Sequence, residues 1–140
     1  MVRGGSIDPW SSEQSTDYDR MIEQFGLTPM DLGSIPDPGM LHRRGIVFAH
    51  RDMDVITDSI TKGDPFGVLT GLMPSGRMHL GHSMVIEQVR WFQEQGADVT
   101  VAVADLEALA TRGTSLSKGR ETALREYVLN YAALGLNSNK

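Results

Sequence analysis

The stretch from Phe66 to Ala104 constrains the fold of this chain more than any other part of it. Phe66-Gly67-Val68-Leu69-Thr70 is a short apolar segment of strand character, and Gly71 to Arg77 is a loop rich in glycine and proline. The residues that follow carry Val85, Val89 and Phe92 on one helical face, ending at Gly96. Val99-Thr100-Val101-Ala102-Val103-Ala104 is then a near-continuous apolar run, which predicts a strand buried on both faces of a parallel sheet. Strand, loop, helix and strand in this order make a βαβ unit, and such crossovers are right-handed. The fold class that follows is α/β, the opening half of a doubly wound parallel sheet with flanking helices.

The flanks are less regular. Residues 1–15 lack periodicity and read as a flexible N-terminal arm, with Trp10 as their aromatic exception. Thr16 and Asp19 have the spacing of a capping box, and Tyr18, Met21, Ile22 and Phe25 fall at helical spacing before Gly26. Residues 27–45 hold too many prolines and glycines for a regular element. Ile46-Val47-Phe48 reads as a short extended segment, and Met53, Ile56 and Ile60 mark the inner face of a helix stopped by Gly63. Residues 16–64 thus form an N-terminal helical extension to a domain at 65–140. The last helix is expected from about Ser117, its N-cap, to Leu134, with Leu124, Tyr127, Val128 and Tyr131 inward and Gly135 as its stop.

Composition excludes several classes of function. The 140 residues are 40% hydrophobic, enough for a core. Eighteen acids against 13 bases leave a net charge of −5, so the chain is not a strongly basic nucleic-acid arm and carries no polybasic membrane anchor. With no cysteine there is neither a disulfide framework nor a Cys-ligated zinc site, which fits a reducing, cytoplasmic setting. No apolar run approaches the roughly 18 residues of a membrane span, and the start shows no secretory signal.

Chemistry is expected in the loop after Leu69, because open parallel sheets bind ligands beyond the carboxyl ends of their strands. Thr70-Gly71-Leu72-Met73-Pro74-Ser75-Gly76-Arg77-Met78-His79-Leu80-Gly81-His82 is neither a Walker loop nor a Gly-x-Gly-x-x-Gly fingerprint. It offers backbone freedom at Gly71 and Gly76, then two imidazoles flanking Gly81 in the first turn of a helix. Donors at a helix N-terminus suit an anionic ligand, and Gly81 leaves a flat gap where a planar base could lie. An arbitrary His-x-x-His pair is more often a structural accident than a site. Its placement after a strand and a Pro-Ser-Gly loop is what favours a nucleotide. No metal is expected: no glutamate lies between the histidines and no cysteine could complete a zinc site.

Pro74-Ser75-Gly76-Arg77-Met78-His79-Leu80-Gly81-His82 resembles the His-Ile-Gly-His signature loop of class I aminoacyl-tRNA synthetases, with leucine at the second position. Pro-Ser-Gly ahead of the motif is similar to the tryptophanyl and tyrosyl enzymes. Arg44-Gly45-Ile46-Val47-Phe48-Ala49-His50-Arg51-Asp52-Met53-Asp54, followed by Pro65-Phe66 and Thr70-Gly71, resembles the archaeal and eukaryotic tryptophanyl type. The resemblance covers residues 36–136. It implies that 65–140 is the first half of a Rossmann-like ATP-binding catalytic domain. By the same resemblance, His79 and His82 contact ATP phosphates as catalytic groups, Gly81 lies against adenine, and Gly71, Pro74, Ser75 and Gly76 shape the phosphate side. Asp105 and Glu107, at the end of the second strand, are in position to hold the ammonium of the amino acid, with Leu69 on the same pocket. ATP with Mg²⁺ is then a substrate, tryptophan and tRNA(Trp) the partners of the longer enzyme, and a homodimer is implied.

The sequence also departs from that pattern. The eukaryotic enzymes have tyrosine where this chain has Leu69, and glutamine where it has Ala102, so the amino-acid pocket does not carry over; core packing is the alternative for Leu69. The family's second ATP motif, Lys-Met-Ser-Lys-Ser, is absent from these residues. That leaves open a tyrosyl enzyme and a truncated, non-catalytic paralogue that binds nucleotide or a partner protein. His50-Arg51-Asp52 matches a kinase catalytic loop only superficially, since Thr57 stands where asparagine is required, and a helix-capping role fits better. His42-Arg43-Arg44 reads as a solvated basic patch.

Overall fold

The computed structural model describes residues 17–138, which form two compact units divided between Val55 and Ile56. The expected arm and Thr16 lie outside the described residues. The first unit begins with α1 (Tyr18–Phe25), capped by Asp17, whose carboxylate accepts the Arg20 N–H at 3.0 Å. Gly26 ends it in the left-handed region at φ 58°, which glycine enters without steric cost. β1 (Thr28–Pro29) pairs antiparallel with β2 (Ala49–His50). The breaker-rich segment between them is not wholly irregular: it holds a 3₁₀ turn at Leu32–Ser34 and the short α2 (Met40–Arg43). The extended segment expected at Ile46–Phe48 starts late because the Ile46 and Val47 N–H groups donate back to the Leu41 carbonyl, closing α2. His42 is buried rather than solvated. Its Nδ1 accepts the Gly39 N–H at 3.1 Å, and burial, then Arg43, push its pKa down. His50 Nδ1 accepts the Met53 N–H at 3.1 Å, so this histidine caps α3 (Met53–Lys62), which runs across the division between units and stops at Gly63.

In the second unit β3 (Gly67–Leu72) pairs parallel with β4 (Asp98–Val103), in a register that sets Leu69 beside Thr100 and Gly71 beside Ala102. The crossover is α4 (Leu80–Glu94). Gly71 and Leu72 belong to the strand, so the loop begins only at Met73. Burial alternates along both strands, which corrects the expectation of a strand covered on both faces. Val68, Thr70, Leu72, Val99, Val101 and Val103 turn inward, while Leu69, Gly71, Thr100 and Ala102 are exposed. Leu69 is 76% exposed and is not a core residue. The apolar run misled because Ala102 and Thr100 tolerate either side of a pleat.

After β4 the chain forms α5 (Asp105–Arg112), which sequence reading did not anticipate, then α6 (Leu116–Thr122), a π-helical turn at Ala123–Val128 and α7 (Leu129–Ala133). The last three make one helical run, since Ala123 and Leu129 keep right-handed dihedrals. Its N-cap is Ser115, whose Oγ accepts the Lys118 N–H, and not Ser117. Gly119, Tyr127 and Tyr131 are buried, whereas Leu124 and Val128 are exposed. The wider π turn keeps residues four apart in line along the inner face, which a pure α-helix would let drift. On α4 the inner face is Ile86 and Val89; Val85 is exposed and Phe92 only half-buried.

Ile86, Tyr127 and Tyr131 form the core cluster, with Leu72, Met78, Val101, Val103 and Leu136 packed on it. Burial and the neighbouring Tyr127 push the Tyr131 phenol up to about 12. The buried Gln93 amide is satisfied by both backbone groups of Asn137, at 2.9 and 2.8 Å, tying the end of α4 to the end of the helical run. No helix among the described residues is long and apolar enough to cross a membrane. Truncating Ile86, which is fully buried, to alanine is expected to lower unfolding free energy by about 2–5 kcal/mol. Truncating the exposed Leu124 should stay within about 0.5 kcal/mol. Urea unfolding of the two variants checks both.

Candidate functional site

The site is built where β3 hands over to α4. A Cβ at Gly71 would stand in ordinary contact with the Ala102 carbonyl at 3.6 Å and its Cβ at 3.7 Å. Pro74 is fully buried, and the Ser75 N–H closes a tight turn onto the Met73 carbonyl at 2.8 Å. Ser75 and Gly76 are exposed on the outside of that turn. The chain then enters α4 with His79 as N-cap.

A helix start leaves its first backbone N–H groups without partners inside the helix. Here two imidazoles answer for two such donors. His79 Nδ1 accepts the Gly81 N–H at 3.2 Å, and His82 Nδ1 accepts the His79 N–H at 3.2 Å. This is a capping box written in histidines, with His82 at the N3 position. The rings lie 4.0 Å apart, tilted by 54°. An acceptor nitrogen carries no proton, so each neutral ring holds its proton on Nε2. The pair therefore presents two N–H donors at the positive end of a helix, with His79 exposed and His82 half-buried.

Gly81 leaves room for the His79 ring. A Cβ at that position would stand 3.1 Å from His79 Cε1 and 3.2 Å from its Nδ1, so the imidazole folds over the space a side chain would fill. Burial, then the neighbouring His79, lower the His82 pKa. Both causes favour the neutral ring, the form in which its Nδ1 can accept.

Sequence reading assigned Tyr127 to the core and missed its contact with the loop. Its hydroxyl donates to the Met73 carbonyl at 3.0 Å, and its ring meets His82 edge-on, with centroids 5.7 Å apart and planes at 80°. A lone tyrosine at helical spacing gives no sign of that hydroxyl's partner.

Asp105 and Glu107 are in the first turn of α5. Asp105 faces Arg120 at 3.4 Å, and the Cβ that Gly119 lacks would touch it at 3.6 Å, so α5 and α6 meet closely there. Glu107 is exposed; its backbone carbonyl accepts from Thr111, whose hydroxyl also lies 3.4 Å from Met73 Sδ. Leu69 and Ala102 share the exposed face of the sheet, along with Gly71. The structure thus brings together the 73–82 loop, both histidines and Tyr127. It leaves Leu69 on the open sheet face. A cavity of about 240 Å³ in this unit lies elsewhere, lined among others by Val99, Val101, Tyr131 and Leu136.

Comparison with known proteins gives a consistent result. The family model for tRNA synthetases class I (W and Y) matches residues 61–140. A tryptophan–tRNA ligase of Methanosarcina acetivorans is 47% identical over 131 residues, covering 92% of this chain and 30% of the relative. The crystal structure of tryptophanyl-tRNA synthetase from Aeropyrum pernix superposes with a TM-score of 0.80 at 40% identity, covering 94% of this chain and 37% of that one. The Encephalitozoon cuniculi tryptophanyl-tRNA synthetase, solved bound to tryptophan, superposes at 0.77 with 28% identity, covering 88% and 37%. The chain therefore spans about a third of the length of the relatives it matches.

The lowered His82 pKa has a definite sign. A histidine with a depressed folded pKa adds stability above its unfolded value of 6.5, and that stability is lost as the pH falls through the folded value. Imidazole titration by NMR should find His82 below 6.5, and His79→Ala should move it back up.

Proposed function

The chain belongs to the tRNA synthetases class I (W and Y), and on that premise we propose that it carries the nucleotide-binding half of a tryptophan–tRNA ligase. The names of its 40–47% identical archaeal relatives support tryptophan over tyrosine. The reaction proposed for the longer protein starts with attack of a tryptophan carboxylate oxygen on the α-phosphorus of ATP. The bond from that phosphorus to the bridging oxygen breaks, releasing pyrophosphate and leaving tryptophanyl-adenylate. The aminoacyl group then passes to tRNA(Trp). ATP enters with its own Mg²⁺, as substrate.

The observation that carries this reading is the reciprocal capping of α4. With each Nδ1 engaged by backbone, His79 and His82 offer Nε2–H donors that need no reorganisation before charge develops on the phosphate oxygens. No covalent nucleophile is required, because positioning and fixed donors supply the catalysis. In this proposal the turn at Pro74, Ser75 and Gly76 walls the phosphate side, Gly71 lets the strand end approach it closely, and Gly81 leaves the first turn of α4 open to adenine. Asp105 and Glu107 serve the ammonium of tryptophan, and Leu69 borders its pocket from the open face of the sheet. The proposal extends to a cytoplasmic homodimer, as the family resemblance implies.

Amino-acid-dependent ATP–pyrophosphate exchange tests it, run with tryptophan and tyrosine side by side on the full-length parent protein. Tryptophan alone should support exchange. The His79→Ala, His82→Ala double variant should lose about 10²-fold or more while keeping its fold by circular dichroism. Exchange that survives the double change, or that runs on tyrosine, would refute the assignment.

A further inference from the structure

Tyr127 sits 54 positions along the chain from Met73, yet its hydroxyl donates to that residue's carbonyl. The Ser75 N–H donates to the same Met73 carbonyl at 2.8 Å. One hydroxyl thus ties down the carbonyl on which the turn closes. The Tyr127 side chain is fully buried, so its hydroxyl depends on this carbonyl for a partner. Burial raises its pKa, which keeps the proton on the oxygen for Met73. Its ring edge rests against His82, and on its other side it meets Tyr131, with centroids 6.3 Å apart. It lies in the π-helical turn, a backbone feature often found where a side chain serves a site.

Phosphate loops commonly aim their N–H groups at the anion. Here the Ser75 N–H is turned back onto the Met73 carbonyl instead. The turn then acts as a wall of fixed shape, and the imidazoles are the donors left to meet charged oxygens. We propose that Tyr127 is a positioning residue for the nucleotide: its hydroxyl sets the shape of the 73–76 turn, and its ring edge sets the orientation of His82. This role rests on reading the site as one for ATP.

Two variants separate the two contacts. Tyr127→Phe keeps the ring and removes the hydroxyl; Tyr127→Leu removes both. In the full-length parent, Tyr127→Phe should raise the KM for ATP roughly tenfold, the effect of one lost buried hydrogen bond, with kcat held within about twofold and the KM for tryptophan unchanged. Amide hydrogen exchange at Ser75, whose N–H closes the turn on the Met73 carbonyl, should quicken by a similar factor, while the amides of α4 keep their rates. Tyr127→Leu should add a loss in kcat, because His82 is then unsupported. Equal rises in both KM values would mark a general loss of structure and overturn the proposal, as would an unchanged KM for ATP or unchanged exchange at the turn. Direct titration with Mg·ATP distinguishes the failures. A wild-type protein that does not bind it removes the functional reading and this role together. Wild-type binding matched by Tyr127→Phe removes the Tyr127 role alone.

Discussion

A chain that runs along β3 and must run the same way along β4 has to return by a crossover, and α4 is that return. The geometry leaves little choice about where α4 starts. Its first turn, with backbone N–H groups lacking helical partners, stands at the carboxyl end of β3, where the sheet offers no further strand to cover it. Many helices close such a start with serine, threonine or aspartate. This one closes it with His79 and His82, and the choice turns a structural need into a chemical group. Each ring satisfies one backbone donor through Nδ1 and in doing so has its remaining proton fixed on Nε2. Capping and donor presentation are one interaction.

The rest of the second unit supports that first turn. The buried Pro74 anchors the turn, and Tyr127 ties its backbone from the far end of the sequence. Tyr127, Tyr131 and Ile86 also make the core cluster, so the residues that shape the site are packed into the most buried part of the unit. A loop held this way meets its ligand with little ordering left to do, which is how positioning contributes to rate. The bare sheet face bearing Leu69, Gly71, Thr100 and Ala102 contrasts with this, as does the open first turn of α5 with Glu107. The nucleotide side of the proposed site is built from these residues, while its amino-acid side is lined here by exposed groups.

Much of this was legible in the sequence, for physical reasons that differ by element. The βαβ unit was plain because a period change from strand to helix and the Gly- and Pro-rich loop coincide. The histidine pair was placed correctly at the helix start, and of His50 and Asp52, either of which could cap α3 from the sequence, it is His50 that accepts the Met53 N–H. What failed depended on three-dimensional partners. β4 looked buried on both faces because Ala102 and Thr100 carry no signal of which side they take. Leu124 and Val128 looked inward because helical spacing assumes an unbroken α-helix, and the π turn shifts that spacing. The short α5 lacked a side-chain N-cap to announce it. His42 looked solvated among basic neighbours, but its acceptor role toward Gly39 is visible only once α2 has formed. The Tyr127 hydroxyl finds Met73 by tertiary packing alone.

The central claim is that backbone capping fixes the proton of both imidazoles on Nε2. The most direct measurement is the ¹⁵N spectrum of the histidine rings, recorded above neutral pH so that the rings are uncharged. The structure predicts that His79 and His82 both show a protonated Nε2 and a bare, hydrogen-bonded Nδ1. A proton on Nδ1 of either ring would mean that the capping bond at that residue does not exist, and would contradict the account of how this site presents its donors.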